Sequence, residues 1–299
     1  MLIAQNIRLS RILINTWKVD LIMIASCTVT YFARTFLIAH HLDIPSIIPS
    51  VLGTAIAFFI GFNNNQAYDR WWEARKIWGS LVNDSRSWAR SLINYTDDSP
   101  DTQKIVVRMI KRHIAFLYCL KGALRSFDDN VYSKYLSVAD RQEIEDQSNK
   151  QNAILNIQSR DLQLISKTGL IDSFRFIELN ALLVGFTDQM GMSERIKNTV
   201  FPTTYTYLTK VFIWLFVVSI TLVISSTVDY WSIFIGWLVG FVFVSTQVNG
   251  MSLINPFENN SAAIPLNQIT RTIEINLLQM LGESEIPDPV KPINEEYVL

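Results

Sequence analysis

A chain of 299 residues that is 49% hydrophobic yet 18% charged is too apolar for an ordinary soluble domain and too charged to lie wholly in lipid. It therefore divides between a membrane part and a polar part, and a net charge of −1 gives no footing for nucleic acid. The two cysteines, Cys27 and Cys119, make no spaced disulfide framework and read as small buried hydrophobes.

Residues 1 to 18 carry Ile3, Ile7, Ile12, Leu13 and Ile14 with Arg8, Arg11 and Lys18, a pattern for a helix lying at a membrane surface or against a neighbour. No small-residue cleavage site follows, so the stretch reads as an amphipathic leader that is retained. The first candidate span runs from Val19 to Leu42 and contains Arg34, which must snorkel, pair or face protein. A second runs from about Ser46 to Phe62, with Pro45 and Pro49 near its start and Gly53, Ala55 and Ala57 to favour close packing. It passes without a break into the polar, aromatic sequence FNNNQAYDRWWEARKIWG, as suits a helix leaving a membrane for water.

A long polar region from 63 to 200 keeps helical periodicity. Val106, Ile110, His113, Leu117, Leu120 and Leu124 share a face, Ser137 with Asp140 signals a capped helix, and 145–153, EDQSNKQNA, reads as linker. Spans at 211–228 and 230–254 then form a tight hairpin with Asp229 at its turn, and a second polar segment, 258–299, closes the chain. Basic residues flank the four spans on one side only, while the short opposite loops hold His40, His41, Asp43 and Asp229. That bias predicts both termini and the long middle region of a multi-pass membrane protein in the cytoplasm.

Little suggests catalysis. Adjacent His40 and His41 point about 100° apart on a helix and do not make a zinc pair, and His113 on an apolar face reads as a hydrogen-bonded core residue. No phosphate loop, nucleophile elbow or Cys/His cluster is present, and the expectation is a non-enzyme without metal or cofactor.

Thr54, Phe58 and Phe62, four residues apart, fall on one face of the second span. They can fill a helix interface or face lipid, or they can line a symmetric axis where rings of Phe form a hydrophobic constriction. In the second case Asn63, Asn64 and Asn65 form a vestibule that hydrates the emerging ion.

The stretch GFNNNQAYDRWWEARKIWG followed by LVNDSR resembles the signature of the bestrophin family, bacterial branch. So do NAIL at 152–155, MGMSERI at 190–196, FPTTYTYL at 201–208, NPF at 255–257 and the closing LGESEIPDP, in the expected order. The resemblance covers nearly the whole chain. It implies an all-α fold with four transmembrane helices and a helical cytosolic domain in each subunit, assembled as a homopentamer around a central pore. It also implies a neck at Thr54, Phe58 and Phe62, where Thr54 replaces a customary aliphatic residue, and a lower constriction near Phe174. Animal members bind Ca²⁺ through acidic residues after NPF; here NPFENNSAAIP holds Glu258 as its one carboxylate, so calcium activation does not carry over.

The expected function is a channel passing monovalent anions such as chloride through that neck, with ions, membrane lipid and its own copies as partners. A monovalent cation channel of the same fold and a membrane-anchored scaffold are the alternatives.

Overall fold

The computed structural model describes residues 9–38, 45–127, 130–293 and 297–298. In chain order the helices are α1 (Leu9–Ala33), α2 (Ile47–Tyr95), α3 (Pro100–Arg125), α4 (Val138–Glu145), α5 (Lys150–Lys167), α6 (Ser173–Asn198), α7 (Thr203–Val228), α8 (Trp231–Met251) and α9 (Leu266–Met280). A π-helical turn, Arg34–Ile38, extends α1, and a 3₁₀ turn, Val131–Tyr135, precedes α4. Among the described residues the only β pairing is an isolated bridge between Ile293 and Tyr297, so the protein is all-α. His40 and His41, and the part of the expected leader in residues 1–8, lie outside the described residues.

The chain forms two compact units. One contains the described residues up to Arg70 together with Val200–Ile254. Among the described residues four helices are long and apolar enough to cross a membrane: Thr16–Phe36, Ile47–Tyr95, Thr203–Val228 and Trp231–Met251. Glycine lets the helices of this unit approach closely. A Cβ on Gly53 of α2 would stand 2.8 Å from the Phe216 ring of α7, and one on Gly240 of α8 would meet Val217 Cγ2 at 2.7 Å and overlap the Met23 side chain of α1. Gly236 makes the same kind of approach one turn away, with Cys27 Sγ at 3.1 Å from its ideal Cβ. Of the small residues read on the second span, Gly53 does this packing, whereas Ala57 is exposed.

Arg34 finds a polar partner within this unit, its Nη1 donating to Ser225 Oγ at 2.9 Å. The α7–α8 turn depends on Asp229, which adopts φ 52°, ψ −133° and accepts a 2.5 Å hydrogen bond from Tyr31 Oη. Helix α8 ends at Met251, ahead of the end of the uncharged run, because Leu253 N and Ile254 N bond to carbonyls three residues back and tighten the last turn.

The other unit, the described residues of Trp71–Thr199 and those from Asn255 onward, has a core built around α3. Val106, Ile110, His113, Leu117, Leu120 and Leu124 are all buried, as the periodicity predicts. Ser137 and Asp140 make the expected capping box on α4. Asp140 also accepts two hydrogen bonds from Arg112 of α3, at 2.9 and 2.6 Å, and Arg112 reaches Asp161 of α5 as well. The expected linker at 145–153 is shorter than read, since Asn149 caps α5 by accepting from Asn152 N at 2.8 Å and helix begins at Lys150.

Candidate functional site: an uncovered face of the second helix

At about 100° per residue, α2 sorts its side chains into two stripes on opposite sides. Ile56, Ile60, Asn63 and Ala67 are buried, while Thr54, Phe58, Phe62, Asn65 and Asp69 are exposed. Phe58 is 71% and Phe62 50% exposed, so neither ring is enclosed by the described residues of its own chain. The rings are held from behind: Phe58 meets Phe59 edge-on at 6.2 Å, and Phe59 lies 6.3 Å from Phe212 of α7. Thr54 Oγ1 donates to Ser50 O at 2.9 Å, which commits its proton to its own helix and leaves the oxygen lone pairs and the methyl group outward.

The three asparagines do not act together, which corrects the expectation of a vestibule formed by Asn63, Asn64 and Asn65. Successive helical residues cannot share a face. Asn63 is 2% exposed and donates to Thr209 Oγ1 at 3.2 Å. Asn64 is half-buried, donates to Thr246 O at 3.2 Å and occupies the space where Gly250 lacks a Cβ. Asn65 alone of the three lies on the open stripe, with Nδ2 donating to Asp69 Oδ2 at 3.4 Å. The triplet therefore ties α2 to α7 and α8 and presents one amide outward.

Phe174, in the other unit, is 85% exposed in the first turn of α6. Asp172 caps that turn, accepting from Phe174 N and Arg175 N at 2.9 Å each. Ile177 and Val184 continue an exposed apolar stripe along the same helix.

The remaining chemistry-bearing residues are structural. His113 is wholly buried, 4.3 Å from the Phe186 ring centroid, and burial pushes it from 6.5 down to about 3. Its Nε2 lies 2.8 Å from Ser85 Oγ, which itself donates to Leu81 O at 2.6 Å. The serine proton is thus used, so Nε2 carries the imidazole proton and Nδ1 is a buried acceptor without a partner. Glu274 of α9, 0% exposed, accepts from Tyr118 at 2.6 Å, from Tyr135 and from Arg271 at 3.1 Å. The phenols are pushed up from 10.0, by burial first and then by that carboxylate. Sequence reading passed over Glu274 because its partners lie far along the chain. After NPF, Glu258 is engaged by the side-chain amides of Asn255 at 2.5 Å and Asn260 at 3.5 Å, and Asn260 Oδ1 accepts from Ala262 N and Ala263 N. Among the described residues no group of three or more His, Cys, Asp or Glu side chains is placed to hold a metal ion.

Four membrane-length helices among the described residues, close glycine packing between them and an open helix face bearing aromatic rings define an all-helical membrane protein. Residues 5–279 match the family model described as Bacterial/Fungal Bestrophin protein, and the chain belongs to that family. It is 34% identical over 244 residues to the voltage-dependent anion channel-forming protein YneE of Escherichia coli O157:H7, covering 81% of this chain and 79% of that one. A voltage-dependent anion channel-forming protein of Mesorhizobium japonicum is 26% identical over 273 residues, 91% of this chain and 86% of the other. Among solved structures, a bacterial bestrophin homologue from Klebsiella pneumoniae aligns with a TM-score of 0.83 at 25% identity, covering 89% of this chain and 98% of that one.

Proposed function

We propose that five copies of this protein form an anion channel in the bacterial inner membrane, with both termini cytoplasmic and a neck made by Thr54, Phe58 and Phe62. The observation that carries this reading is the open face of α2, where two large rings stay uncovered although the opposite stripe of the same helix is packed. Membership in the bestrophin family and relatives named as anion channel-forming proteins support it. An exposed amide such as Asn65 is costly against lipid and favoured beside a wet axis. Phe174 on α6 is the candidate for a second constriction, being a largely exposed ring in a first turn capped by Asp172.

Permeation through such a neck is governed by dehydration. Rings of Phe58 and Phe62 offer no charge and no hydrogen-bond donor, and Thr54 has its proton turned toward Ser50. An ion crosses by shedding water against the rings: edges turned to the axis are electropositive and tolerate anions, whereas faces turned to it would favour cations. Large, weakly hydrated anions such as thiocyanate and iodide then pass at least as readily as chloride. Purified protein in a planar bilayer tests the reading. Phe58→Ala and Phe62→Ala are expected to raise single-channel conductance by relieving the barrier, with a wild-type reversal potential that follows the chloride gradient. Conductance unaltered in both variants, or a reversal potential that follows the cation gradient, overturns the assignment.

A further inference from the structure

The open stripe of α2 does not end with the phenylalanines. It continues through Asn65 to Asp69, seven residues past Phe62 and therefore about 10 Å further along the helix at 1.5 Å per residue. Asp69 is exposed and belongs to the same compact unit as the neck residues. Its Oδ2 accepts the Asn65 amide at 3.4 Å, a long contact that leaves most of the carboxylate's lone-pair capacity directed outward. Arg70, the neighbouring cation in sequence, lies about 100° round the helix and is half-buried, so it does not share the stripe.

We infer that Asp69 is an electrostatic selectivity determinant at the inner end of the neck, acting against anions. The inference rests on the proposed pore, because it needs the face bearing Phe58 and Phe62 to surround the axis. Each subunit then contributes one carboxylate to a ring of like charges that depletes anions and concentrates monovalent cations where the neck opens. The phenylalanine rings select by dehydration and the Asp69 ring by charge, and the two work in opposite directions. Wild-type anion preference is thus weaker than the neck alone would give.

The size of the effect follows from distance and screening. Five unit charges about 10 Å from the end of the neck, with water between and a Debye length of about 8 Å at physiological salt, alter the local concentration of a monovalent ion by about two- to threefold. Depletion of one sign and enrichment of the other multiply, so neutralising the ring raises the chloride-to-potassium permeability ratio by about fivefold. At 1 M salt the Debye length is about 3 Å and the effect disappears.

The test compares full-length wild type with Asp69→Asn in planar bilayers, measuring reversal potentials across KCl gradients centred near 0.15 M and near 1 M. The expected result is a chloride-to-potassium ratio raised about fivefold at low salt and unchanged at high salt. Asp69→Cys supplies a second readout, since Cys27 and Cys119 are buried. A negatively charged thiol reagent should return the ratio toward wild type, and a positively charged one should raise it further. Phe58→Ala and Phe62→Ala are measured in parallel. Altered conductance in those variants with an unchanged ratio in Asp69→Asn, and no response of Asp69→Cys to either reagent, overturns the role of Asp69 while the pore reading stands. No change in any of the variants overturns the pore reading itself.

Discussion

Acidification should destabilise the polar unit through one residue. His113 is fully buried with its proton on Nε2, and a second proton has only Nδ1 to occupy, which faces the aromatic core without a partner. With a folded value of about 3 against 6.5 for the unfolded chain, the unfolded state binds more protons throughout the interval between them. Stability attributable to the neutral imidazole is therefore fully present above pH 6.5 and is lost progressively as pH falls toward 3. At pH 5 the loss is about 2 kcal/mol, taking 1.36 kcal/mol per unit over the one and a half units below the unfolded value. Melting of the detergent-solubilised protein, followed by intrinsic fluorescence from pH 8 to pH 5, should show a fall in Tm of several degrees for wild type. His113→Phe has no proton to gain, so its Tm should be lower at pH 8, through loss of the Ser85 hydrogen bond, but flatter with pH. Equal pH slopes in the two proteins would refute the reasoning, and would mean that the Phe116 and Phe186 rings accommodate the imidazolium by cation–π attraction.

Two further outcomes are expected. Arg112→Met leaves Asp140 buried without its principal counter-charge and should destabilise by about 3–5 kcal/mol. Because burial raises Asp140 while Arg112 and Ser137 more than offset it, wild type should also lose stability as pH drops below the ordinary carboxylate range, and the variant should lose less; thermal melts from pH 6 to 3 check both. Channel activity should be unchanged between chelator and micromolar Ca²⁺, since the oxygens of Glu258 are already engaged by Asn255 and Asn260. Current that vanishes on chelation and returns with Ca²⁺, and does so in wild type but not in Glu258→Gln, is the opposing result.

The sequence by itself determined whatever depends on near neighbours along the chain. Length and apolarity placed the four membrane helices, a 3.6-residue period picked out the buried face of α3, and Ser137 with Asp140 marked the start of α4, because span length, amphipathicity and capping are set within a few turns. The spacing of Thr54, Phe58 and Phe62 likewise put them on one face, since residues four apart are neighbours on a helix surface. Tertiary structure decided which face of each helix is covered and by what. Three adjacent asparagines read as one polar patch, yet Asn63 and Asn64 turn inward to Thr209 and Thr246 and only Asn65 stays on the open stripe with Asp69. Gly236 and Gly240 read as unremarkable members of an apolar span until Cys27 and Met23 of α1 are seen to press against them. Glu274 read as one of many carboxylates until Tyr118 and Tyr135, well over a hundred residues earlier in the chain, close over it. In each case the deciding contact joins segments far apart in sequence, and a buried polar group or a missing Cβ acquires its meaning only from the partner that folding brings to it.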